Sequence, residues 1–314
     1  QHLVAPFGTK IENGIFSGCT SLTEIVLPPS VIYIGDRAFG VCLSLTSITL
    51  PPLVTDIGDD AFTGCTSLTE IVLPPSVTYI GKGAFYECNS LKSITLPHIV
   101  AHIGEFAFFG CKSLTEIVLP PSVTYIGKGA FALCTSLKSI TLPPLVTDIG
   151  DDAFALCTSL TSIALPPLVT NIGDRAFCEC NSLTSITIPP LVTNIGEFAF
   201  TGCTSFISIA MLPTVNTVGR GAFMGCKNLE YIAAPNNIVV NHIHIFINCP
   251  KLDNGLRGVV VCTPVTELRV LRLRYFHPNT MRSITHPGQR AAVTNLMMIQ
   301  HRLDTHITPT LPPI

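Results

Sequence analysis

The chain has 314 residues and a formal net charge of −2, with 47% hydrophobic residues, 12% charged residues and no tryptophan. This composition excludes a disordered tail and a highly solvated helical array, and it predicts a large buried core. No apolar run approaches the roughly 20 residues needed to cross a bilayer, so we predict no membrane insertion.

Residues 1–18 are the first, partial copy of a repeat that fills most of the chain. Glu12 and Ile15 stand where the later copies carry glycine and alanine. The period is 23 residues and is fixed by two columns. Phenylalanine occupies positions 16, 39, 62, 85, 108, 131, 154, 177, 200, 223 and 246. Cysteine occupies positions 19, 42, 65, 88, 111, 134, 157, 180, 203, 226 and 249.

The first half of each copy predicts a short strand. Leu68, Ile71 and Leu73 follow an L-x-x-L-x-L spacing in which the apolar residues point inward and the intervening residues point outward. Pro74 ends the strand because proline has no N–H to donate to a ladder.

The second half predicts another short extended piece followed by one helical turn. The V-x-x-I-G run ends at Gly81, where we expect a tight bend or a positive φ. The A-F-x-x-C stretch then suits a single helical turn that buries Phe85. One copy cannot bury these residues alone, so the copies are expected to stack at roughly 4.8 Å into a rod with one continuous core.

This unit resembles the 23-residue leucine-rich repeats of the BspA-like family, which occur in bacterial surface proteins and in some protists. The resemblance covers roughly residues 11–255. It implies a β-rich, right-handed repeat solenoid with short helical turns. It also implies adhesion or recognition, because family members are mostly described as binding proteins and not as enzymes.

We divide the chain into a partial repeat at 1–18, an array at 19–255, a C-terminal cap at 256–304 and a linker-like tail at 305–314. The last copies drift from the consensus, with Phe206 for leucine and Val218 for isoleucine, as expected where an array is capped. After Cys262 the pattern changes, and apolar residues from Ala292 to Leu303 predict an amphipathic helix over 287–304. The predicted fold therefore ends in a helical cap.

The thirteen cysteines predict neither disulfides nor a metal site. Column cysteines in parallel register point the same way, and the only close pair is Cys178 with Cys180. We expect a buried ladder of reduced thiols, with Cys178 and Cys262 as candidates for exposed, reactive thiols. Reduced thiols and the absence of any N-x-[ST] sequon favour a cytoplasmic location, with the cell surface as the alternative.

The histidine pairs 98/102 and 242/244 lack a convergent partner, so we predict no metal site. Neither a G-x-S-x-G elbow nor a phosphate-binding glycine motif occurs, so we predict no enzymatic activity and no cofactor. Seven arginines spread over the C-terminal segment are too few for a nucleic-acid footprint, so we predict no nucleic-acid binding.

The outward strand positions are the candidate binding surface, because a solenoid presents its concave strands to partners. Serine and threonine there also have high β propensity, so part of the pattern needs no functional explanation. The tyrosines before the isoleucine column are the best aromatic contacts. The tentative site residues are Glu24, Glu70, Glu116, Lys92, Lys138, Tyr79 and Tyr125.

The sequence thus predicts a recognition or scaffold protein that binds a protein or glycan partner. Two alternatives stay open: a structural building block that self-associates, and the substrate-recognition arm of a larger adaptor protein.

Overall fold

A computed structural model describes residues 2–4, 8–235, 245–253 and 259–262. Successive copies of the repeat stack in parallel, 23 residues apart, so that each copy forms one rung of a solenoid. Each rung contributes to two sheets and to a wall of turns, which together enclose the core. The predicted leucine-rich-repeat solenoid is therefore confirmed.

The second sheet, formed by the V-x-x-I-G segments, is continuous across ten strands, which lie side by side in the order in which they occur along the chain. Its strands are β2 (Lys10–Ile11), β4 (Tyr33–Ile34), β6 (Asp56–Ile57), β8 (Tyr79–Ile80), β9 (His102–Ile103), β10 (Tyr125–Ile126), β12 (Asp148–Ile149), β14 (Asn171–Ile172), β16 (Asn194–Ile195) and β18 (Thr217–Val218). In each pairing the isoleucine of one rung faces the equivalent residue of the next, so the inward column never slips by one residue.

The first sheet, formed by the L-x-x-I-x-L segments, is divided into shorter parallel ladders. Its strands are β1 (His2–Val4), β3 (Glu24–Val26), β5 (Ser47–Thr49), β7 (Glu70–Val72), β11 (Ser139–Thr141), β13 (Ser162–Ala164), β15 (Ser185–Thr187), β17 (Ser208–Ala210), β19 (Tyr231–Pro235) and β20 (Val259–Cys262). Single bridges at Thr95 and Val118 continue the ladder between β7 and β11.

The turn wall joins the end of each second-sheet strand to the next first-sheet strand. The single helical turn expected there takes the form of overlapping turns whose amides alternate between two kinds of acceptor. The Phe131 N–H donates to the Ala153 carbonyl of the next rung at 2.8 Å, whereas the Ala132 N–H donates to Gly129 within its own turn at 3.1 Å. This alternation satisfies the backbone and ties each turn to the following rung.

Two columns of left-handed residues make this alternation possible. One column includes Gly129 and Asp152, and the other includes Leu133 and Val41, with φ between 54° and 60°. The amides of Gly129 and Leu133 both donate to the next rung at 2.8 Å. Non-glycine residues therefore occupy a conformation that side chains ordinarily avoid, and neighbouring rungs hold them there.

Gly81 and its column have a different role from the one predicted. These glycines are absent from the left-handed region, and the reason for glycine is the close approach of the rungs. A Cβ atom at Gly81 would lie 2.6 Å from the carbonyl carbon of Gly58 and 2.7 Å from the Asp59 nitrogen. Both are backbone atoms, so neither can move aside.

The core is a set of identical residues stacked along the solenoid axis. Leu68, Ile71, Leu73 and Phe85 are all less than 9% exposed, as the repeat predicts. From Phe16 to Phe223, rings of successive column phenylalanines lie 5.2–5.6 Å apart, centroid to centroid, and are nearly parallel. The inward phenylalanine column is thus confirmed.

At the C-terminal side, α1 (Pro250–Asp253) follows the last cysteine of the column, and β20 pairs in parallel with β19. The predicted cap at 256–304 is represented only by β20. The amphipathic helix at 287–304 and the tail at 305–314 lie outside the described residues.

Candidate functional site

The charged residues predicted as contacts lie on the outer face of the first sheet. Glu24 and Glu70 open strands in which the middle residue is buried and the flanking residues are exposed. Glu116 occupies the same column as Glu24 and Glu70, whereas Lys92 and Lys138 occupy the preceding column, that of Thr69; all three are also exposed. The sequence therefore identified one surface shared by these five residues.

This first-sheet face also exposes valines, on the same rungs as the glutamates. Val26, Val72 and Val118 are 47%, 62% and 73% exposed, respectively. Rungs with serine and threonine, such as Ser47 and Thr49, separate them. A rung that presents one valine and one glutamate thus recurs at every second position, with a spacing of roughly 9.6 Å given the usual strand separation.

The five charged groups of the first-sheet face have no ion-pair partner within 4 Å among the described residues. Ion pairs do form elsewhere, for example between Lys82 and Glu105 at 3.4 Å. Unpaired charges beside exposed valines leave this face free to contact another molecule.

A shallow groove crosses the first-sheet face between its first two complete rungs. Here β3 pairs with β1, and β5 pairs with β7, while the link between them is a 3.4 Å bond from the Thr46 N–H to the Thr23 carbonyl. Glu24, Val26 and Ser47 are among the lining residues. The groove is a concave feature of the first-sheet face.

The threonines of the same face have a structural role. The Thr69 hydroxyl donates to the Thr46 carbonyl at 3.1 Å, and the Thr161 hydroxyl donates to the Lys138 carbonyl at 3.2 Å. Both acceptors are backbone atoms of the preceding rung. The threonine column therefore reinforces stacking, which leaves the glutamates, lysines and valines as the candidate contact residues of this face.

The two predicted tyrosines lie on the second sheet, apart from the five charged residues. Tyr79 and Tyr125 are 45% and 42% exposed. The pKa of Tyr79 is raised mainly by partial burial, and the negative charges of Asp59, Asp36 and Asp56 raise it further. The structure therefore divides the seven predicted residues between two faces.

Side chains after the glycine column build a ladder along the edge of the second sheet. The Asp36 amide donates to Asn13 Oδ1 at 3.1 Å, the Asp59 amide to Asp36 Oδ1 at 3.0 Å, and the Lys82 amide to Asp59 Oδ1 at 2.8 Å. These carboxylates satisfy backbone donors of the next rung, so this acidic column is explained by structure.

The column cysteines after Cys19 are buried and carry reduced thiols. Each of these thiols donates to the carbonyl of a phenylalanine 26 residues earlier, as Cys65 does to Phe39 at 3.1 Å. Burial raises the pKa of Cys88 and of Cys157 to about 12. The thiols of Cys88 and Cys157 are therefore protonated structural groups and poor nucleophiles.

Cys178 lies outside the column and is half-buried, and burial together with the charge of Glu179 raises its pKa. Cys19, within the column, is exposed. The side chain of Cys262 lies outside the described part of the chain, as do His242 and His244. Within residues 8–235 and 245–253, His, Cys, Asp and Glu form no cluster of three that could hold a metal ion.

Three aromatic residues on the turn wall escaped the sequence prediction. Tyr86 and Phe109 stack with ring centroids 4.6 Å apart and planes within 5°, and Phe106 meets Phe109 edge-on at 6.0 Å. All three are half-buried. The sequence could have revealed this pair, because Tyr86 and Phe109 are 23 residues apart and their column holds smaller residues, Thr63 and Ala132, in the flanking rungs.

Across the part of the chain that the structure describes, no helix has the length and apolarity needed to span a membrane.

The sequence matches the profile described as BspA type Leucine rich repeat region, in six copies, over residues 8–103, 55–182 and 126–253. These overlapping matches run through most of the chain. No curated protein gave a significant match.

Solved structures of bacterial repeat proteins have similar folds. A leucine-rich repeat protein from Bacteroides ovatus is 31% identical, with a TM-score of 0.71 over 80% of this chain and 73% of that one. A leucine rich cell surface protein from Faecalibacterium prausnitzii is 25% identical, with a TM-score of 0.51 over 85% of this chain and 89% of the other.

Proposed function

This chain belongs to the BspA-type leucine-rich repeat family, and from that premise we propose that it is a non-enzymatic recognition protein that binds a protein partner through the first-sheet face. The observation that carries the proposal is the set of unpaired glutamates and lysines interleaved with exposed valines. Charged groups such as Asp59 already accept a hydrogen bond from the backbone of the next rung, so they are less available to a partner.

The valines supply apolar area that a partner can remove from water, and the charges orient the partner and exclude unsuitable ones. Val72 and Val118 are the most exposed large apolar residues among those described. Because the pattern repeats every second rung, a partner with its own repeated contacts would gain affinity from several weak contacts at once.

We place the protein at the cell surface within this proposal. The F. prausnitzii neighbour is described as a cell surface protein. The reduced cysteines no longer favour the cytoplasm, because burial keeps thiols such as Cys134 from oxidants in either compartment.

The test is direct binding of a recombinant partner first captured with residues 1–314 as bait. The test variant changes Glu24, Glu70 and Glu116 to lysine, and a second variant changes Val72 and Val118 to aspartate. The matched control changes Tyr79 and Tyr125 to alanine on the second sheet. All substituted side chains are exposed, so each variant is expected to fold.

Loss of binding in both first-sheet variants, with binding retained in the tyrosine control, is the expected result. Loss in the tyrosine control alone would move the contact to the second sheet and overturn the proposed surface. The self-associating building block would instead give concentration-dependent oligomers in light scattering and no foreign partner. Binding that requires further domains of a larger adaptor protein would support the adaptor alternative.

A further inference from the structure

The turn wall carries a side-chain cluster that differs from the rest of the array. Tyr86, Phe109 and Phe106 lie together there, whereas the column of Tyr86 and Phe109 holds Thr63 in the preceding rung and Ala132 in the following one. In a repeat whose copies are nearly identical, partly exposed aromatic rings on adjacent rungs contribute little to the core. They provide apolar ring faces at the surface.

Glu87 stands beside these rings and has a fixed backbone. It is exposed, its φ is 54°, and its N–H donates to the Phe109 carbonyl at 2.7 Å. Its Cγ lies 3.2 Å from where a Cβ at Gly110 would be, so its side chain extends over that glycine. Among the described residues it has no ion-pair partner within 4 Å.

A second carboxylate, that of Asp60, also lies near Tyr86. Asp60 Oδ1 occupies the space that a side chain at Gly83 would need, and a Cβ at Gly83 would lie 3.6 Å from the Tyr86 Cβ. The other carboxylate oxygen of Asp60, Oδ2, pairs with Nε of Arg37 at 3.3 Å. Burial, followed by the charges of Glu87 and Asp60, raises the pKa of Tyr86, in agreement with their proximity.

The equivalent positions four repeats later in the array carry different side chains and can be compared with this cluster. There Arg175 stands in the position of Gly83, and it pairs with Asp152, the equivalent of Asp60, through Nε at 2.7 Å and Nη2 at 3.1 Å. Cys178 and Thr201 replace Tyr86 and Phe109, while Glu179 is retained. In both places the aspartate pairs with an arginine of the array, Arg37 in the earlier case and Arg175 in the later one. What distinguishes the earlier place is glycine in the position of Arg175 and aromatic rings beside the retained glutamate.

We infer that Tyr86, Phe109 and Glu87 form a site for an arginine side chain of a basic protein segment. A guanidinium group is planar and weakly hydrated, so it stacks on an aromatic ring while its N–H groups bind a carboxylate. The charge of the array is complementary, since residues 1–249 contain 17 Asp and Glu against 10 Lys and Arg. A neutral sugar would gain from the rings but not from the unpaired charge of Glu87.

This site lies on the turn wall and is separate from the first-sheet face. Its failure would leave the proposed function intact, and failure of the first-sheet variants would leave this site intact. The two tests therefore give distinguishable results.

The experiment measures binding of a capped, fluorescently labelled Gly-Arg-Gly-Arg-Gly peptide to the full chain by anisotropy. The test variant is Tyr86→Cys with Phe109→Thr, which are the residues found at the equivalent positions 178 and 201 of the same fold. Glu87→Gln removes the charge alone at an exposed position, so we expect this variant to fold. Tyr79→Ala with Tyr125→Ala is the control on another face.

We expect the double variant and Glu87→Gln each to weaken binding by at least about fivefold, and the control to leave it unchanged. A lysine peptide should bind more weakly than the arginine peptide, and a citrulline peptide should not bind measurably. Added salt should weaken the arginine complex. The inference would be overturned if the citrulline peptide bound as tightly as the arginine peptide, or if the Glu87→Gln variant bound the arginine peptide as tightly as the parent protein does. Either result would favour an apolar or sugar-binding patch.

Discussion

The thiol of Cys134 donates a hydrogen bond to the carbonyl oxygen of Phe108, with 3.2 Å between Sγ and O. The same carbonyl accepts the N–H of Cys111 at 3.2 Å, so it is bonded both within its own turn and to the next rung. Cysteine suits this column because it is small and apolar and still carries a weak donor.

The first prediction is that the folded protein loses stability in alkaline solution. The pKa of Cys88 and of Cys157 is raised to about 12 by burial, so these thiols keep their protons in the folded state at pH values where the unfolded chain loses them. The unfolded state then binds fewer protons, and the free energy of unfolding falls as pH rises. The stabilisation is complete below about pH 9 and decreases above it, by up to about 1.4 kcal/mol per thiol per pH unit.

Guanidinium denaturation between pH 8 and 11 measures this loss. A Cys88→Ala, Cys157→Ala variant should show a shallower decline than the parent protein. Equal slopes would show that these two thiols do not titrate on unfolding in this range.

The second prediction concerns Phe131, which stacks between Phe108 and Phe154 at 5.5 Å on each side. Phe131→Ala should reduce the free energy of unfolding by about 3–5 kcal/mol, because it opens a cavity in a fully buried stack. Phe131→Leu retains most of the volume and should cost clearly less. Chemical denaturation of the two variants compares them, and equal losses would contradict the cavity explanation.

The third prediction separates the two kinds of glycine. Gly127→Ala should cost more than about 3 kcal/mol, because its Cβ would lie 2.7 Å from the Glu105 nitrogen and force the rungs apart. Gly64→Ala meets no atom closer than 3.7 Å and should cost only about 1 kcal/mol, for its positive φ of 68°. Thermal unfolding of both variants tests this order, and the reverse order would refute the close-approach argument.

The fourth prediction is a stabilising change at Val41. This β-branched residue has a φ of 60° and is 44% exposed. Asn248 occupies the same column at a φ of 57°, and asparagine tolerates this conformation. Val41→Asn should therefore raise the free energy of unfolding by about 0.5–1 kcal/mol. A lower unfolding midpoint would mean that the apolar contacts of Val41 outweigh its backbone strain.

Much of this fold was predictable from the sequence because its contacts are repetitive. Once the 23-residue period is known, stacking in register places Phe131 beside its own equivalents and assigns Ile71 to the core. The three glutamates of the first-sheet face followed from the same alternation, since every second residue of a strand points outward. The two lysines followed from their place in the exposed threonine column. The register also implies that Tyr86 and Phe109 are neighbours.

The tertiary structure decided those features that depend on how closely neighbouring rungs approach and on where the chain turns between the sheets. Gly81 is glycine because of the backbone of the rung beside it, and Leu133 is left-handed because its amide must reach the next rung; neither cause is local in sequence. The separation of Tyr79 from Glu70 depends on how the chain bends between the two sheets. The proximity of Glu87 and Asp60 to Tyr86 likewise arises from turn geometry, which composition and periodicity do not specify.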